Sequence, residues 1–514
     1  MDTWSALSNF HARSVATAGN RESLLEKEMV RDFLQKVPIP NIFQCLQEAS
    51  ESGATKQVKL VCQCLERIFR SDIGADILFE EEILPFLVAG VSHNELDAKR
   101  LTLDMIDLHL TVDRHWNMDN DILLQVICDC LLDEDSGAAR KAGDILFKLV
   151  SASGTGLYHK ILSKIRAIQV EYLSRPSRDN SVEYVRLLEL TSKCAGVNDV
   201  VMNDSISLGL LQPILDGIKS TDALFLLNFL DIIPNLCTTK TGLAFIFHSD
   251  LLSHLIESST DPFVGGGALR LIGKFSNLAA SHHMEAWNWA ESARSFLAAA
   301  EMSIQSPDSQ QQIAAMDALA VFASASDREL SALLAQKTLC ESWLTLGKSS
   351  IMEVKSTCFC SLATILACNT RLVTTQIPGE NATVWQYHRE LLHALGAYSG
   401  RPSTMHHLMD CLRQPFEPIR VAVYTLLQAV AVQGHPWGVE TLHGYGGLIE
   451  YLVDRTTEPS KSTREWKFAI VDALLASPFQ HLLGARAVEE LNKYFTQGPY
   501  AGRAKQADPM LESM

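Results

Sequence analysis

The chain has 514 residues, of which 47% are hydrophobic and 20% charged, and it carries a formal net charge of -16 at pH 7. An apolar fraction near one half excludes a wholly disordered protein, and the low glycine and proline content excludes collagen-like and low-complexity classes. An acidic chain lacks the broad basic surface that neutralises phosphates, so nucleic acid is not expected as a general partner.

No membrane-spanning or secretory segment is expected. Residues 1–5 lack the cationic start that leads into the apolar part of a signal peptide. The most apolar stretch, Ala223–Leu236, contains Asn228, Asp231 and Pro234, and it is shorter than the roughly 20 residues of a bilayer span. The cysteines lie mostly in apolar stretches, as buried reduced thiols do, which favours the cytoplasm and also permits the nucleus.

Taken in chain order, residues 1–20 are expected to form a flexible lead, and a repeated helical pattern begins at residue 21. Nearly every window from 21 to 497 has apolar residues at i, i+3, i+4 and i+7, the spacing of an amphipathic helix. Residues 122–132 predict one helix, and a polar turn follows at 133–137. The next helix has its apolar residues on one face, namely Ala138, Ala142, Ile145, Leu146 and Leu149. The pattern predicts a helical hairpin.

Polar turns like this one recur along the chain, mostly at intervals of about 40 to 46 residues, the period of HEAT and armadillo repeats. They lie near Asn94, Asp133, Pro176, Thr221, Asp261, Pro307, Ser349, Pro415 and Glu458. The predicted fold is therefore an all-α, HEAT/armadillo-like α-solenoid of stacked hairpins, and the spacing does not separate the two repeat types. The interval after Ser349 is about 20 residues too long for the period, which predicts an insertion near 374–400. Residues 498–514 lose the periodicity and are expected to be disordered.

Two helices are apolar on almost all sides, as expected for helices packed between neighbours. The first is Ala223–Leu236, and the second spans residues 267–280, after a turn expected at the glycines 265–267. Narrow polar stripes on these helices are candidates for a partner-binding groove, because the second helix of each repeat usually lines the binding surface of such solenoids. The candidate residues are Asn228, Asp231, Arg270, Lys274 and Asp317. The alternative is that each stripe only solvates an exposed edge.

No catalytic, metal-binding or cofactor-binding motif is present, so we expect neither an enzyme nor a resident cofactor. The C-x-C pairs at Cys62, Cys128 and Cys358 lie on predicted helices, where residues i and i+2 point about 200° apart and do not converge on zinc. The segment 267–275 resembles a phosphate-binding loop faintly, but its spacing is one residue too long and no strand precedes it.

Several local strings are more specific than the repeat pattern. In chain order they are Asp261-Pro262-Phe263, Lys274-Phe275-Ser276-Asn277-Leu278-Ala279, Gln414-Pro415-Phe416, His435-Pro436-Trp437, Glu450-Tyr451-Leu452-Val453-Asp454-Arg455 and Gly498-Pro499-Tyr500. Together they resemble the 26S proteasome non-ATPase regulatory subunit 5 family. The resemblance is strongest over residues 414–500 and moderate over 251–280, and the N-terminal third departs most.

The resemblance implies a non-catalytic chaperone that assists assembly of the base of the proteasome regulatory particle. It would hold the C-terminal domain of an ATPase subunit, meet other base subunits, and be absent from the finished particle. Two alternatives remain open. One is an armadillo-type adaptor for another protein or a basic peptide, although the tryptophans are not periodic as in that class; the other is an enzyme whose site is assembled from distant repeats.

Overall fold

The computed structural model describes residues 3–17, 23–78, 80–110, 120–152, 156–174, 182–220, 222–282, 289–368 and 384–500. Within these ranges the chain forms 29 α-helices and no β-strand, which confirms the all-α prediction. Its contacts divide it into two compact units, Met1–Gly217 with Asp231–Gly242, and Ile218–Leu230 with Leu243–Met514.

The helices up to residue 217 lie in the first unit. They are α1 Thr3–Thr17, α2 Ser23–Lys36, α3 Ile39–Glu51, α4 Thr55–Arg70, α5 Asp72–Ile77, α6 Leu84–Val91, α7 Leu96–His109, α8 Asp121–Asp129, α9 Ser136–Ser151, α10 Leu157–Ser174, α11 Val182–Ala195, α12 Asp199–Ser207 and α13 Gln212–Gly217.

The remaining helices begin with α14, whose bounds are those predicted from the sequence. They are α14 Ala223–Leu236, α15 Lys240–His248, α16 Leu251–Ser258, α17 Gly265–Ser281, α18 Trp289–Gln305, α19 Ser309–Ala323, α20 Asp327–Ala335, α21 Lys337–Thr345, α22 Met352–Cys368, α23 Val384–Ser399, α24 Thr404–Leu412, α25 Glu417–Ala431, α26 Pro436–His443, α27 Leu448–Val453, α28 Lys461–Ala476 and α29 Gly484–Gln497.

The first unit is a series of helical hairpins. Helices α3, α6, α8 and α10 pack on α4, α7, α9 and α11 respectively, and these second helices also pack on one another in that order. The predicted apolar face of α9 is buried completely, from Ala138 to Leu149. A single hairpin cannot bury such a face alone, because the burial requires the partner helix and the two neighbouring repeats.

Part of the expected N-terminal lead is helical. Residues 3–17 form α1, which packs against α4 and buries Leu7 and Phe10. Leu7, Phe10 and Ser14 recur at i, i+3 and i+7, which is the spacing of a core-facing helix. Small and polar residues surround them, so the apolar repeat pattern alone does not reveal this helix. The ring of Phe10 stacks on that of Phe33 with the centroids 4.3 Å apart.

The second unit repeats the hairpin arrangement. Helices α17, α19, α22, α25 and α28 pack on one another in chain order, and we call this row the second-helix ladder. Helices α16, α18, α24 and α27 pack on α17, α19, α25 and α28, and a 3₁₀ turn, Leu346–Lys348, packs on α22. The ladder places the same side of five helices next to each other, which positions the candidate site.

Two predicted segments lie partly or wholly outside the described residues. Of the expected insertion near 374–400, the structure describes α23 and the residue after it. Of the expected tail 498–514, it describes residues 498–500. Both remain predictions.

Among the described residues, no single helix has both the length and the apolar character of a bilayer span. One sharply bent pair, Lys461–Ala476 with Gln480–Gln497, meets the test of length and composition only when its two parts are taken together.

Candidate functional site

The ladder helix α17 carries the polar stripe predicted from the sequence. Arg270, Lys274 and Asn277 are exposed at i, i+4 and i+7, whereas most apolar residues of the helix, Leu271 and Phe275 among them, are buried. The buried face of α17 packs on α16 and α19, and the stripe lies on the exposed side of the helix, at the edge of its contact with α19.

The structure brings Arg270 and Asp317 together across two neighbouring ladder helices. Arg270 Nε donates to Asp317 Oδ2 at 3.0 Å, and each side chain is 44% exposed. Helices α17 and α19 approach closely because Gly273 has no side chain: a Cβ there would lie 2.7 Å from the carbonyl oxygen of Ala318. Two of the five predicted groove residues, Arg270 and Asp317, thus share one face.

Lys274 extends this face along α17, and Cys360 extends it onto α22, where it feels the charge of Asp317. Lys274 is exposed one turn after Arg270 and makes no ion pair among the residues that the structure describes. Cys360 lies on α22 and is exposed as a residue. Partial burial of its thiol group, and secondly the charge of Asp317, raise the pKa of that thiol. We call Arg270, Lys274, Asp317 and Cys360 the ladder face.

The two remaining predicted residues lie on α14. Asn228 and Asp231 are both exposed there, one turn apart, and Asn228 Nδ2 donates to the carbonyl oxygen of Leu224 at 3.1 Å. Asn228 belongs to the second unit and Asp231 to the first. A common groove for all five predicted residues therefore stays a prediction.

The first unit carries a charged face that was not predicted from the sequence. Arg100 of α7 donates from Nε to Asp135 Oδ2 at 2.9 Å, and this bond lowers the pKa of Asp135 to about 2. Lys141 of α9 pairs with Asp107 of α7 at 3.1 Å, and Lys148 pairs with the same carboxylate. A cavity of about 370 Å³ adjoins these pairs and is lined by Arg100, Asp104, Gly137, Arg140, Lys141 and Asp144.

A signal for this face was present in the sequence. Asp104 and Asp107 on α7, and Lys141, Asp144 and Lys148 on α9, stand three or four residues apart and so share one side of each helix. Because the acids and bases are paired across the helices, they hold α7 against α9. The unpaired Lys274 makes the ladder face of the second unit the better candidate for a partner contact.

Two of the strings that carried the family resemblance, 435–437 and 450–455, have structural roles. His435 caps α26, Pro436 begins it, and Trp437 is 2% exposed. Arg455 donates from Nη2 to the carbonyl oxygens of Tyr494 and Gly498, at 3.2 and 2.9 Å, and so fixes the end of α29. These residues secure the hairpins of the second unit.

The described residues contain no group of three or more His, Cys, Asp or Glu side chains placed to hold a metal ion. The thiols of the C-x-C pair Cys62 and Cys64 are buried, which raises the pKa of each to about 12. These thiols are in the protonated form at neutral pH, which is the unreactive form.

Comparison with known proteins decides the family. The family model described as proteasome non-ATPase 26S subunit matches residues 6–510. The chain belongs to that family. The human 26S proteasome non-ATPase regulatory subunit 5 is 22% identical over 502 residues, which cover 93% of this chain and 94% of the human protein. The Drosophila melanogaster protein of the same name is 21% identical over 513 residues, covering 94% and 92%.

Two solved structures align with the chain at low TM-scores. An engineered protein aligns with a TM-score of 0.39 at 16% identity, covering 97% of this chain and all of its own. A designed armadillo repeat protein aligns with a TM-score of 0.34 at 16% identity, covering 51% of this chain and 98% of its own. The fold of this family member rests on its own helices and their packing, as described above.

Proposed function

We propose that this chain is a non-catalytic assembly chaperone for the base of the 26S proteasome regulatory particle. It holds the C-terminal domain of an ATPase subunit during assembly, meets other base subunits there, and leaves before the particle is complete. The observation that supports this function is the family match over residues 6–510. The relatives, which align with this chain over almost their whole length, are named as a 26S proteasome non-ATPase regulatory subunit. We propose a cytoplasmic location, with the nucleus as a second one.

The ladder face is the surface that we propose for the ATPase domain. It offers the unpaired cation Lys274, the exposed Arg270–Asp317 pair and small or polar side chains on α22. Rigid helices present these groups in a row, and a folded partner can be held along such a row without a deep pocket. Exposed charges of this kind speed association and select the partner.

The test is a pull-down of the separately purified C-terminal domain of each proteasomal ATPase subunit by the full chain. We expect selective capture of one or two domains. Capture of none, together with binding of basic peptides, would support the armadillo-type adaptor instead. A second measurement follows the chain in cell extracts, where it is expected with incomplete base complexes and not with the full particle.

A double variant tests the ladder face within the same assay. Arg270→Ala with Lys274→Ala should weaken capture while moving the thermal midpoint little, because exposed ion pairs contribute about 0–1 kcal/mol. The matched control is Arg486→Ala with Lys493→Ala, which removes two exposed cations from α29. Equal capture by the two double variants would remove the ladder face from the proposal but leave the chaperone function standing.

A further inference from the structure

The first unit contains a surface cavity between α9 and α11, with a volume of about 580 Å³. Its floor is apolar and includes Leu131, Phe147 and Leu190, and Val182, which is 70% exposed, stands at its edge. The charged side chains in its wall are Arg140, Asp144, Arg186, Glu189 and Lys193.

Gly143 lies in the middle of α9 and lines this cavity. Other helical glycines permit a close contact; a Cβ at Gly90, for example, would lie 2.3 Å from Thr102 Oγ1. In the described part of the chain, the nearest atoms to a Cβ at Gly143 are methyl carbons of Leu131 and Leu190, each at 3.9 Å, an ordinary van der Waals distance. Packing therefore does not require glycine here, although glycine is a poor helix former. Its effect is to leave the floor of the cavity open.

Two arginines in the wall have no carboxylate partner among the described residues. Arg140 is exposed on α9 and makes no ion pair there. Arg186, on α11, donates from Nη1 to the carbonyl oxygens of Leu131 and Asp133, at 3.5 and 3.4 Å. Both guanidinium groups therefore keep their charge without a counter-ion.

The acids in the wall do not balance these arginines. Glu189 is paired with Lys193 at 2.6 Å, one turn further along α11. Asp144 is exposed and is the carboxylate of this wall that has no cation bound to it in the described ranges. Two uncompensated guanidinium groups and one uncompensated carboxylate leave the cavity with a local positive charge, in a chain whose net charge is -16. The cavity therefore favours an anionic ligand.

The cavity continues along the row of second helices in the first unit. Arg140 and Asp144 also line the cavity of about 370 Å³ between α7 and α9. Arg100 and Asp104 line both that cavity and a third one of about 190 Å³, between α4 and α7. The shared residues join the three cavities into a groove across four helices, whose axes are about 8–10 Å apart in such packing. An extended polypeptide follows a groove of this shape, whereas a compact small molecule fills only one of the cavities.

We propose that this groove binds an extended polypeptide segment in which an apolar side chain is flanked by carboxylates. The apolar side chain enters the cavity over Gly143 and packs on Phe147 and Val182. The carboxylates pair with Arg140 and Arg186, since a guanidinium matches the two oxygens of a carboxylate in a bidentate geometry. The site is independent of the ladder face and of the chaperone function proposed above.

The experiment is a titration of a labelled peptide with the full chain, followed by fluorescence anisotropy. The probe is a fluorescein-labelled nonapeptide with two glutamate–leucine–glutamate triplets, separated and flanked by glycine. One control peptide has lysine in place of every glutamate, and a second has serine in place of both leucines. The first control reverses the charge, and the second removes the apolar side chains.

We expect the glutamate–leucine peptide to bind in a saturable curve and both control peptides to bind at least tenfold more weakly. Arg140→Gln should raise the dissociation constant of the probe about tenfold, as expected for the loss of a bond between charged groups. The matched control is Arg294→Gln on α18, which removes another exposed arginine without an ion pair in the described residues and should keep the wild-type curve.

Gly143→Leu tests the shape of the cavity separately from its charge. The new side chain occupies the floor and should weaken binding of the probe at least tenfold. Because leucine is a better helix former than glycine and meets no close neighbour, the thermal midpoint should stay the same or rise.

Four results would overturn the proposal. They are an absence of saturable binding by the glutamate–leucine peptide, equal or tighter binding of the lysine peptide, an unchanged curve in Arg140→Gln, and unchanged binding by Gly143→Leu. A marked fall in the thermal midpoint of Gly143→Leu would also contradict it, since the floor of the cavity would then not be open.

Discussion

Arg420 and Glu458 form an ion pair inside the second unit: Arg420 Nε donates to Glu458 Oε2 at 3.1 Å, with side-chain exposures of 9% and 0%. The other oxygen of the same carboxylate accepts from Tyr424 Oη at 2.5 Å and from Tyr451 Oη at 3.2 Å. Glu458 lies in the loop before α28 and therefore ties that loop to α25.

The first prediction concerns this pair. Glu458→Gln removes the charge and leaves the Arg420 guanidinium buried without its counter-ion, so it should destabilise the second unit by about 3–5 kcal/mol in urea unfolding. The control is Glu490→Gln, which breaks an exposed pair with Arg486 at 3.1 Å and should cost about 0.5 kcal/mol or less. Similar losses in the two variants would contradict the structural role of Glu458.

The second prediction concerns acid stability. His388 is completely buried, its Nδ1 lies 3.2 Å from Gln433 Oε1, and burial lowers its pKa from 6.5 to about 4. Between these values the unfolded chain takes up a proton that the folded chain does not. Stability should therefore fall as pH decreases from 6.5 to 4, by a contribution on the order of 3 kcal/mol. Above pH 6.5 the contribution of this group to the slope should fade as the unfolded imidazole also loses its proton.

Urea unfolding across this pH range measures the effect. The His388→Gln variant should show a shallower loss of stability toward acid than the wild type. The exposed His481 is the control, and His481→Gln should keep the wild-type slope. Parallel pH curves for the wild type and His388→Gln would refute the assignment.

The third prediction concerns the approach of α17 to α19. Gly273→Ala places a methyl group 2.7 Å from the backbone oxygen of Ala318, and a backbone atom cannot rotate away as a side chain does. The two helices must separate, at a cost of about 1–3 kcal/mol. Gly446→Ala, where no atom lies within 4 Å of the new methyl group, should be neutral or stabilising. Thermal unfolding of both variants checks the difference, and equal midpoints would contradict the close approach.

The fourth prediction concerns thiol reactivity on the ladder face. Among the cysteines that the structure describes, Cys360 is the exposed one, so iodoacetamide should alkylate it before the others in the native protein, as followed by peptide mass spectrometry. Asp317→Asn should increase that rate, because the charge of Asp317 contributes to the raised pKa of Cys360. Glu489→Gln on α29 is the control. Faster alkylation of Cys340 or Cys358 would contradict the placement.

The hairpin architecture could be predicted from the sequence because burial of one helix face is a local property. The apolar residues of α9 and the bounds of α14 follow from spacing alone. The run of glycines at 265–267 predicts a turn, but α17 begins at Gly265. A Cβ at Gly265 would lie 2.3 Å from the carbonyl oxygen of Ser259, and one at Gly267 would lie 2.7 Å from Leu230. Those neighbours lie outside α17, so the spacing of residues within α17 does not predict these contacts.

For the candidate site, too, the sequence predicts some features and not others. The exposure of Arg270 and Lys274 follows from their spacing on α17. The pairing of Arg270 with Asp317, which stand 47 residues apart, depends on how α17 and α19 are aligned, and so do the pairs of Asp107 with Lys141 and Lys148 on α7 and α9. Spacing within a helix predicts which side chains share a face, but the contact between two helices requires the fold.

The second-helix ladder has a consequence for how this protein unfolds and aggregates. Each ladder helix packs mainly on the one before it, the one after it and its own hairpin partners. When one hairpin opens, its neighbours keep their internal packing but expose the apolar faces that they had buried against it. A substitution that unfolds a single repeat therefore leaves most of the chain folded. Its main result is an exposed apolar patch in the middle of the stack, which promotes aggregation with other chains.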